Sequence, residues 1–186
     1  MILNSQHDRK DRRRAFIAIE VPRSAVPENI LEEIGTIRQL RPVRTPSFHL
    51  TLHFLGELEA HVLESVKENL SSIKFPGFIS SVCGIGAFPR PTDARVLFIK
   101  VRENIDLDKL HSQIMKALGT NEVREFIPHV TIARSSRRVD LSEFCQRHES
   151  FKGDFQVSNF FLFLSTLTNQ GPIYEKVSEI SSTREA

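Results

Sequence analysis

Two short segments of this chain carry residues able to do acid–base chemistry at matched spacing: Phe48-His49-Leu50-Thr51-Leu52-His53-Phe54-Leu55-Gly56-Glu57 and Pro128-His129-Val130-Thr131-Ile132-Ala133-Arg134. Each sets a histidine two residues ahead of a threonine inside an apolar run. Side chains of an extended chain alternate between faces, so His49 and Thr51 project together while Leu50, Leu52 and Phe54 project into a core; His129 and Thr131 do the same ahead of Val130 and Ile132. Alternation also gives His53 the face of His49, and it sets Arg134 opposite His129 unless the strand bends. An imidazole titrates near neutral pH. A neutral ring can take a proton from water while a second, protonated ring gives one to a departing oxygen, the division of labour that phosphodiester cleavage needs. Threonine hydroxyls beside them would hold the non-bridging oxygens as negative charge develops. The spacing alone is only moderately specific; what gives it weight is that a polar ring on an apolar strand is costly to bury unless something uses it.

The elements that must position these residues follow from periodicity. Ala15 to Val21 is rich in apolar and branched residues and ends at Pro22, as a buried strand does. Ser24 can cap a helix through about Leu40, with Ile30, Leu31, Ile34 and Ile37 on one face. Phe48 to Leu55 alternates and is closed by Gly56, and a second helix is expected from Glu59 to Ile73. Phe78 to Phe88 and Arg95 to Val101 form a hairpin around Pro89 to Asp93. A third helix fits Asp106 to Leu118, with Gly119 as terminator. His129 to Ala133, Phe155 to Leu164 and Tyr174 to Ile180 complete the strands, the last two joined by the loop from Thr168 to Pro172. This order, with one polar-alternating strand in each half, is that of an α+β protein with antiparallel sheets and an internal echo.

With 186 residues, the chain can bury a substantial core, and 40% hydrophobic and 26% charged residues are ordinary for a globular protein. A net charge of +2 permits a polyanionic partner without requiring one. The longest apolar runs fall short of the roughly 20 residues that span a bilayer, and the N-terminus lacks an apolar signal core. Cys83 and Cys145 stand alone, which suggests neither a disulfide framework nor a zinc site and fits a reducing, cytoplasmic setting. No metal-ligand cluster is suggested and no cofactor is expected. Residues 1–13 are expected as a flexible basic extension ahead of a single domain at 14–186.

Beyond these two motifs, Arg14-Ala15-Phe16-Ile17-Ala18-Ile19, Gly84-Ile85-Gly86-Ala87-Phe88-Pro89, and Ser165-Thr166-Leu167-Thr168 followed by Gly171-Pro172-Ile173-Tyr174-Glu175 occur in order. With them the chain, from Arg14 to about Ile180, resembles the two-histidine phosphoesterases, and within them the RNA 2',3'-cyclic phosphodiesterases that also show 2'-5' RNA ligase activity. The resemblance implies a bilobal, pseudo-two-fold fold with helices outside and the two His-x-Thr strands facing a central cleft. It implies an RNA 2',3'-cyclic 3'-phosphodiesterase that opens a terminal 2',3'-cyclic phosphate to a 2'-phosphate. His49 would be the proton donor and His129 the proton acceptor, with Thr51 and Thr131 gripping the phosphate and Arg134 as a further substrate ligand. The acid and base labels rest on the resemblance, since both motifs read alike. The segment from Ser135 to Gln156 matches nothing in the family pattern.

Other readings stay open. The same site run backward is a 2'-5' RNA ligase, because a reaction and its reverse share one transition state. A non-catalytic RNA or nucleotide binder would need no acid and base, and two intact histidines argue against it. Substrates could be RNA ends such as tRNA fragments, or small cyclic nucleotides, with the protein expected to act as a monomer. His53 reads as structural, and His7, His61, His111 and His148 as solvent-facing. Phe48 and the other phenylalanines read as core, and Arg90 and Arg95 as a solvated hairpin tip.

Overall fold

The fold is taken from a computed structural model describing residues 12–43, 47–120, 125–168 and 171–183. Its elements run β1 (Arg13–Pro22), α1 (Glu28–Thr36), β2 (Arg41–Pro42), β3 (Ser47–Leu58), α2 (Ala60–Ser71), β4 (Phe78–Phe88), β5 (Ala94–Val101), α3 (Ile105–Ala117), β6 (His129–Val139), α4 (Ser142–Arg147), β7 (Lys152–Val157), β8 (Asn159–Thr168) and β9 (Gly171–Ser181). Residues 1–11 of the expected extension lie outside the described residues, as do Asn169 and Gln170 of the expected loop. Arg12 is tied to Glu59 by an ion pair of 2.8 Å, and Arg13 opens β1.

Every strand pair is antiparallel, in the order β7-β4-β5-β6-β3-β1-β8-β9, with β2 alongside β6. The order is a palindrome. Outward from the centre, each half presents a His-x-Thr strand (β6 or β3), then the strand that precedes it through a helix (β5 through α3, β1 through α1), then two more. The two motif strands themselves join through a single residue pair, Leu50 with Val130, both wholly buried, and β2 adds a two-residue ladder to β6 beside it. The expected α+β architecture with internal pseudo-symmetry is thereby met, as a curled sheet with the two motif strands at its middle.

Alternation splits the sheet into two unlike faces. Ile17, Ile19, Leu50, Leu97, Ile99, Val130, Leu162 and Leu164 join one large core with Ile30 and Ile34 of α1, Val66 and Leu70 of α2, and Leu107, Leu110 and Ile114 of α3. All four helices contribute to this cluster, so they cover one face, and each fully buried Leu or Ile there contributes about 1.5–3 kcal/mol relative to exposure. The other face carries a smaller aromatic cluster of Phe16, Ala18, Phe161 and Phe163 with Tyr174 against it. Among the described residues no helix is long and apolar enough to cross a membrane.

Several expectations are corrected. The helix anticipated from Ser24 begins only at Glu28: Pro27 holds Val26 extended (φ −116°, ψ 127°), leaving a separate 3-10 turn at Arg23–Ala25, and the helix stops at Thr36. α3 starts at Ile105 because Asn104 caps it, its side-chain oxygen accepting from the Asp106 and Leu107 amides. Gly56 does not end β3; at φ 75° it shapes a bulge opposite Ala15 and the strand continues to Leu58. The strand expected over 155–164 is two strands, β7 and β8, broken at Ser158, and the unmatched 135–156 segment contains the end of β6, α4 and most of β7. His148 is not solvent-facing: its Nε2 lies 2.7 Å from Glu33, tying α4 to α1. His111 stacks on Phe126 at 4.0 Å between ring centres.

Candidate active site

The Leu50–Val130 pair is the hinge of the site. Both point into the core, so the residues flanking them, His49 and Thr51 on β3 and His129 and Thr131 on β6, turn to the opposite, helix-free face. The four expected residues are brought together on one surface astride the junction of the halves.

Cross-strand partners define that surface further. Along β1, Glu20 pairs with His49, Ala18 with Thr51 and Phe16 with Phe54, while Leu52 is passed over in a bulge and Ile17 pairs with His53. Along β5, Lys100 pairs with His129, Phe98 with Thr131 and Val96 with Arg134, while Ile132 is passed over and Leu97 pairs with Ala133. Directly paired residues share a face. The bulge after each threonine therefore resets the alternation at equivalent places in the two halves. Arg134 comes round to the face of His129, where strict alternation would have denied it. Its counterpart Phe54 does the same and is 71% exposed, so it does not project into the core as alternation predicts. His53 moves the other way, to the face of Ile17, and leaves the site face.

The two imidazoles stand in different surroundings. His49 is enclosed by ring edges, with Phe163 at 4.6 Å, Tyr174 at 5.2 Å and Phe16 at 6.0 Å between centres, all near perpendicular. This burial pushes its pKa below the usual histidine range; the Glu20 carboxylate opposes the shift and the Lys176 ammonium adds to it. Glu20 and Lys176 are themselves paired at 2.7 Å. His129 has Phe88 at 5.0 Å and Phe98 at 5.3 Å, and its Nδ1 lies 2.8 Å from the Ile127 carbonyl oxygen. A carbonyl can only accept, so Nδ1 donates and Nε2 of the neutral ring is left with its lone pair.

Sequence reading missed Glu20, Phe54 and Lys100 as members of this face, because only strand pairing places them. Among the described residues no group of three or more His, Cys, Asp or Glu side chains could hold a metal ion. A cavity of about 630 Å³ lined by Arg12, Arg13, Arg14, Glu57, Ser165 and Leu167 lies at the far end of β1 and includes neither histidine.

Comparison with known proteins follows the same outline. The sequence model of the 2'-5' RNA ligase superfamily matches residues 26–167, which include both motifs. The RNA 2',3'-cyclic phosphodiesterase of Archaeoglobus fulgidus is 34% identical over 87% of this chain and 96% of its own length; that of Methanocaldococcus jannaschii is 31% identical over 89% and 99%. Among solved structures, Escherichia coli LigT complexed with 3'-AMP superposes with a TM-score of 0.70 at 25% identity, covering 93% of this chain and 99% of LigT. A Thermus thermophilus protein, TT0787, gives 0.70 at 25%, covering 90% and 97%. The motif resemblance is borne out: this chain belongs to the 2'-5' RNA ligase superfamily.

Proposed function

We propose that this protein hydrolyses a terminal 2',3'-cyclic phosphate of RNA to a 2'-phosphate, without a metal, by acid–base catalysis between two histidines. The observation that carries the reading is the joining of β3 and β6 at Leu50–Val130, which turns both His-x-Thr pairs to one face. In this mechanism the neutral His129 Nε2 takes a proton from water as its oxygen bonds to phosphorus; the bond from phosphorus to the 3' oxygen breaks, and the His49 imidazolium protonates that oxygen. The products are a 2'-phosphate and a 3'-hydroxyl. Hydroxyls of Thr51 and Thr131 donate to the non-bridging oxygens of the reacting phosphate, and Arg134 is a further ligand for the substrate at the rim of the site. The asymmetry of the rings supports the roles. His129 has its proton held on Nδ1 by Ile127, which suits a base; at His49 the Glu20 carboxylate favours imidazolium against the larger opposing effect of burial.

A 5'-hydroxyl in place of water gives 2'-5' ligation by the same displacement: its oxygen bonds to the phosphorus of the cyclic phosphate, the bond from phosphorus to the 3' oxygen breaks, and that oxygen takes a proton; the superfamily's own description favours keeping this as the second reading.

The test is turnover of a short RNA ending in a 2',3'-cyclic phosphate by EDTA-treated protein, with the 2'- and 3'-phosphate products resolved. Each of His49→Ala and His129→Ala should lower kcat by roughly 10²–10⁴-fold, and the double variant by far less than the product. Exclusive 3'-phosphate product, or activity that survives both substitutions, refutes the mechanism; loss on chelation that is restored by a divalent cation refutes metal independence.

A further inference from the structure

β2 consists of two residues, and its placement has a consequence for charge. Arg41 pairs directly with Arg134 and Pro42 with Ala133, while the Val43 amide donates to the Ile132 carbonyl at 2.8 Å. Leu40 and Ala133 are buried on the core side, so Arg41 points to the other face, beside Arg134 and in line with His129 and Thr131. Both arginines are exposed. Like charges on directly opposed residues destabilise a sheet. Yet neither guanidinium makes an ion pair with any described residue, whereas Arg12, Arg13, Arg138 and Arg147 meet Glu59, Glu175, Asp93 and Glu33. Two adjacent, unneutralised guanidiniums at the rim of a phosphate-handling face form a seat for another anion, and the planar forks of arginine suit phosphate oxygens.

Distance argues that this anion is not the reacting phosphate. Register on β5 separates Thr131 from Arg134 by two positions, about 7 Å, and Arg41 lies one strand spacing farther, about 5 Å. We propose that Arg41, together with Arg134, seats the backbone phosphate on the 5' side of the terminal nucleotide, so that the site favours an RNA end over a free cyclic mononucleotide. The inference rests on the cyclic phosphodiesterase reading above and deepens it by naming the longer substrate. A 2',3'-cyclic mononucleotide has only the reacting phosphate; an oligonucleotide end brings the second.

The experiment compares kcat/KM for a 2',3'-cyclic mononucleotide and for a short oligoribonucleotide ending in the same nucleotide, in the wild type, Arg41→Gln and Arg41→Lys. Arg41→Gln should lower the oligonucleotide-to-mononucleotide ratio about tenfold, the effect of losing one charge-assisted hydrogen bond. It should also reduce the salt dependence of oligonucleotide turnover by about one unit of slope in a double-logarithmic plot. Arg41→Lys should recover part of both. The thermal midpoint of Arg41→Gln should equal or exceed that of the wild type, because a like-charge pair is relieved. An unchanged ratio, whether both substrates suffer together or neither does, overturns the proposal, and so does a lowered midpoint, which would make Arg41 a structural residue. Wild-type protein that turns over neither substrate refutes the functional reading itself, a result distinct from wild-type activity with an unchanged ratio.

Discussion

His49 is ringed by aromatic edges and flanked by charges of opposite sign, and each neighbour moves its proton affinity in a known direction. Burial lowers it most, Glu20 raises it and Lys176 lowers it. For a proton donor the consequence lies on the alkaline limb of kcat/KM, where activity falls as the imidazolium of the free enzyme loses its proton. A pKa below the usual range means that this limb begins at lower pH than an exposed histidine would give. Glu20→Gln removes the raising charge and should move the limb further toward acid; Lys176→Met removes a lowering charge and should move it toward alkali. The two variants therefore shift one limb in opposite directions. Full pH profiles of kcat/KM read the outcome, and shifts in the same direction, or none, would show that His49 is not the donor. Nothing in the sequence announced this pairing, because Glu20 is 29 residues upstream and meets His49 only through strand register.

The bulges after Thr51 and Thr131 mark the limit of what alternation could reveal. The His-x-Thr pairs were legible because two residues of regular strand suffice to put both side chains on one face. Arg134, Phe54 and His53 lie beyond the bulged residues, and each takes the face opposite to the one that counting assigns. No residue type marks these bulges: the residues passed over are Leu52 and Ile132, which look like ordinary strand positions. α4 was illegible for a different reason, since with six residues it is too short to show periodicity. Its position depends on a tertiary contact, the Arg147 and His148 side chains meeting Glu33 of α1. The Arg147 hydrogen bond, then that of His148, holds the Glu33 carboxyl below the usual glutamate range. A carboxylate with a depressed pKa stabilises the fold above the ordinary pKa of about 4.3, and the contribution fades as pH falls below it. Glu33→Gln should therefore lower stability by about 1 kcal/mol at neutral pH, as is typical of a partly exposed ion pair with an added hydrogen bond. The gap from wild type should close in acid. Denaturant unfolding at pH 7 and near pH 3.5 measures this, and a gap that persists unchanged in acid would show that the ion pair is not its source.

At the scale of the whole molecule, a palindromic sheet held at its centre by one β3–β6 residue pair and the two-residue β2–β6 ladder raises the question of whether the halves fold separately. The motif strands meet at Leu50–Val130 alone, but the residues around that pair belong to a core that is continuous across both halves, from Ile17 and Leu162 on one side to Leu97 and Ile132 on the other, with α1, α2 and α3 packed into it. Burial of that extent outweighs what so short a ladder contributes, so the halves should unfold together. The prediction is one transition, coincident by far-UV circular dichroism and by intrinsic fluorescence of Tyr174, the only tyrosine in the chain. Leu50→Ala empties a fully buried position at the junction and should cost about 2–5 kcal/mol, shifting the midpoint without splitting it. It should also lower kcat, because the same side chain fixes the relative placement of His49 and His129, and misplacement by an ångström can cost about a hundredfold. If instead the two probes report separate transitions, in the wild type or in the variant, the halves are independent folding units that merely abut, and the shared core does not make them one.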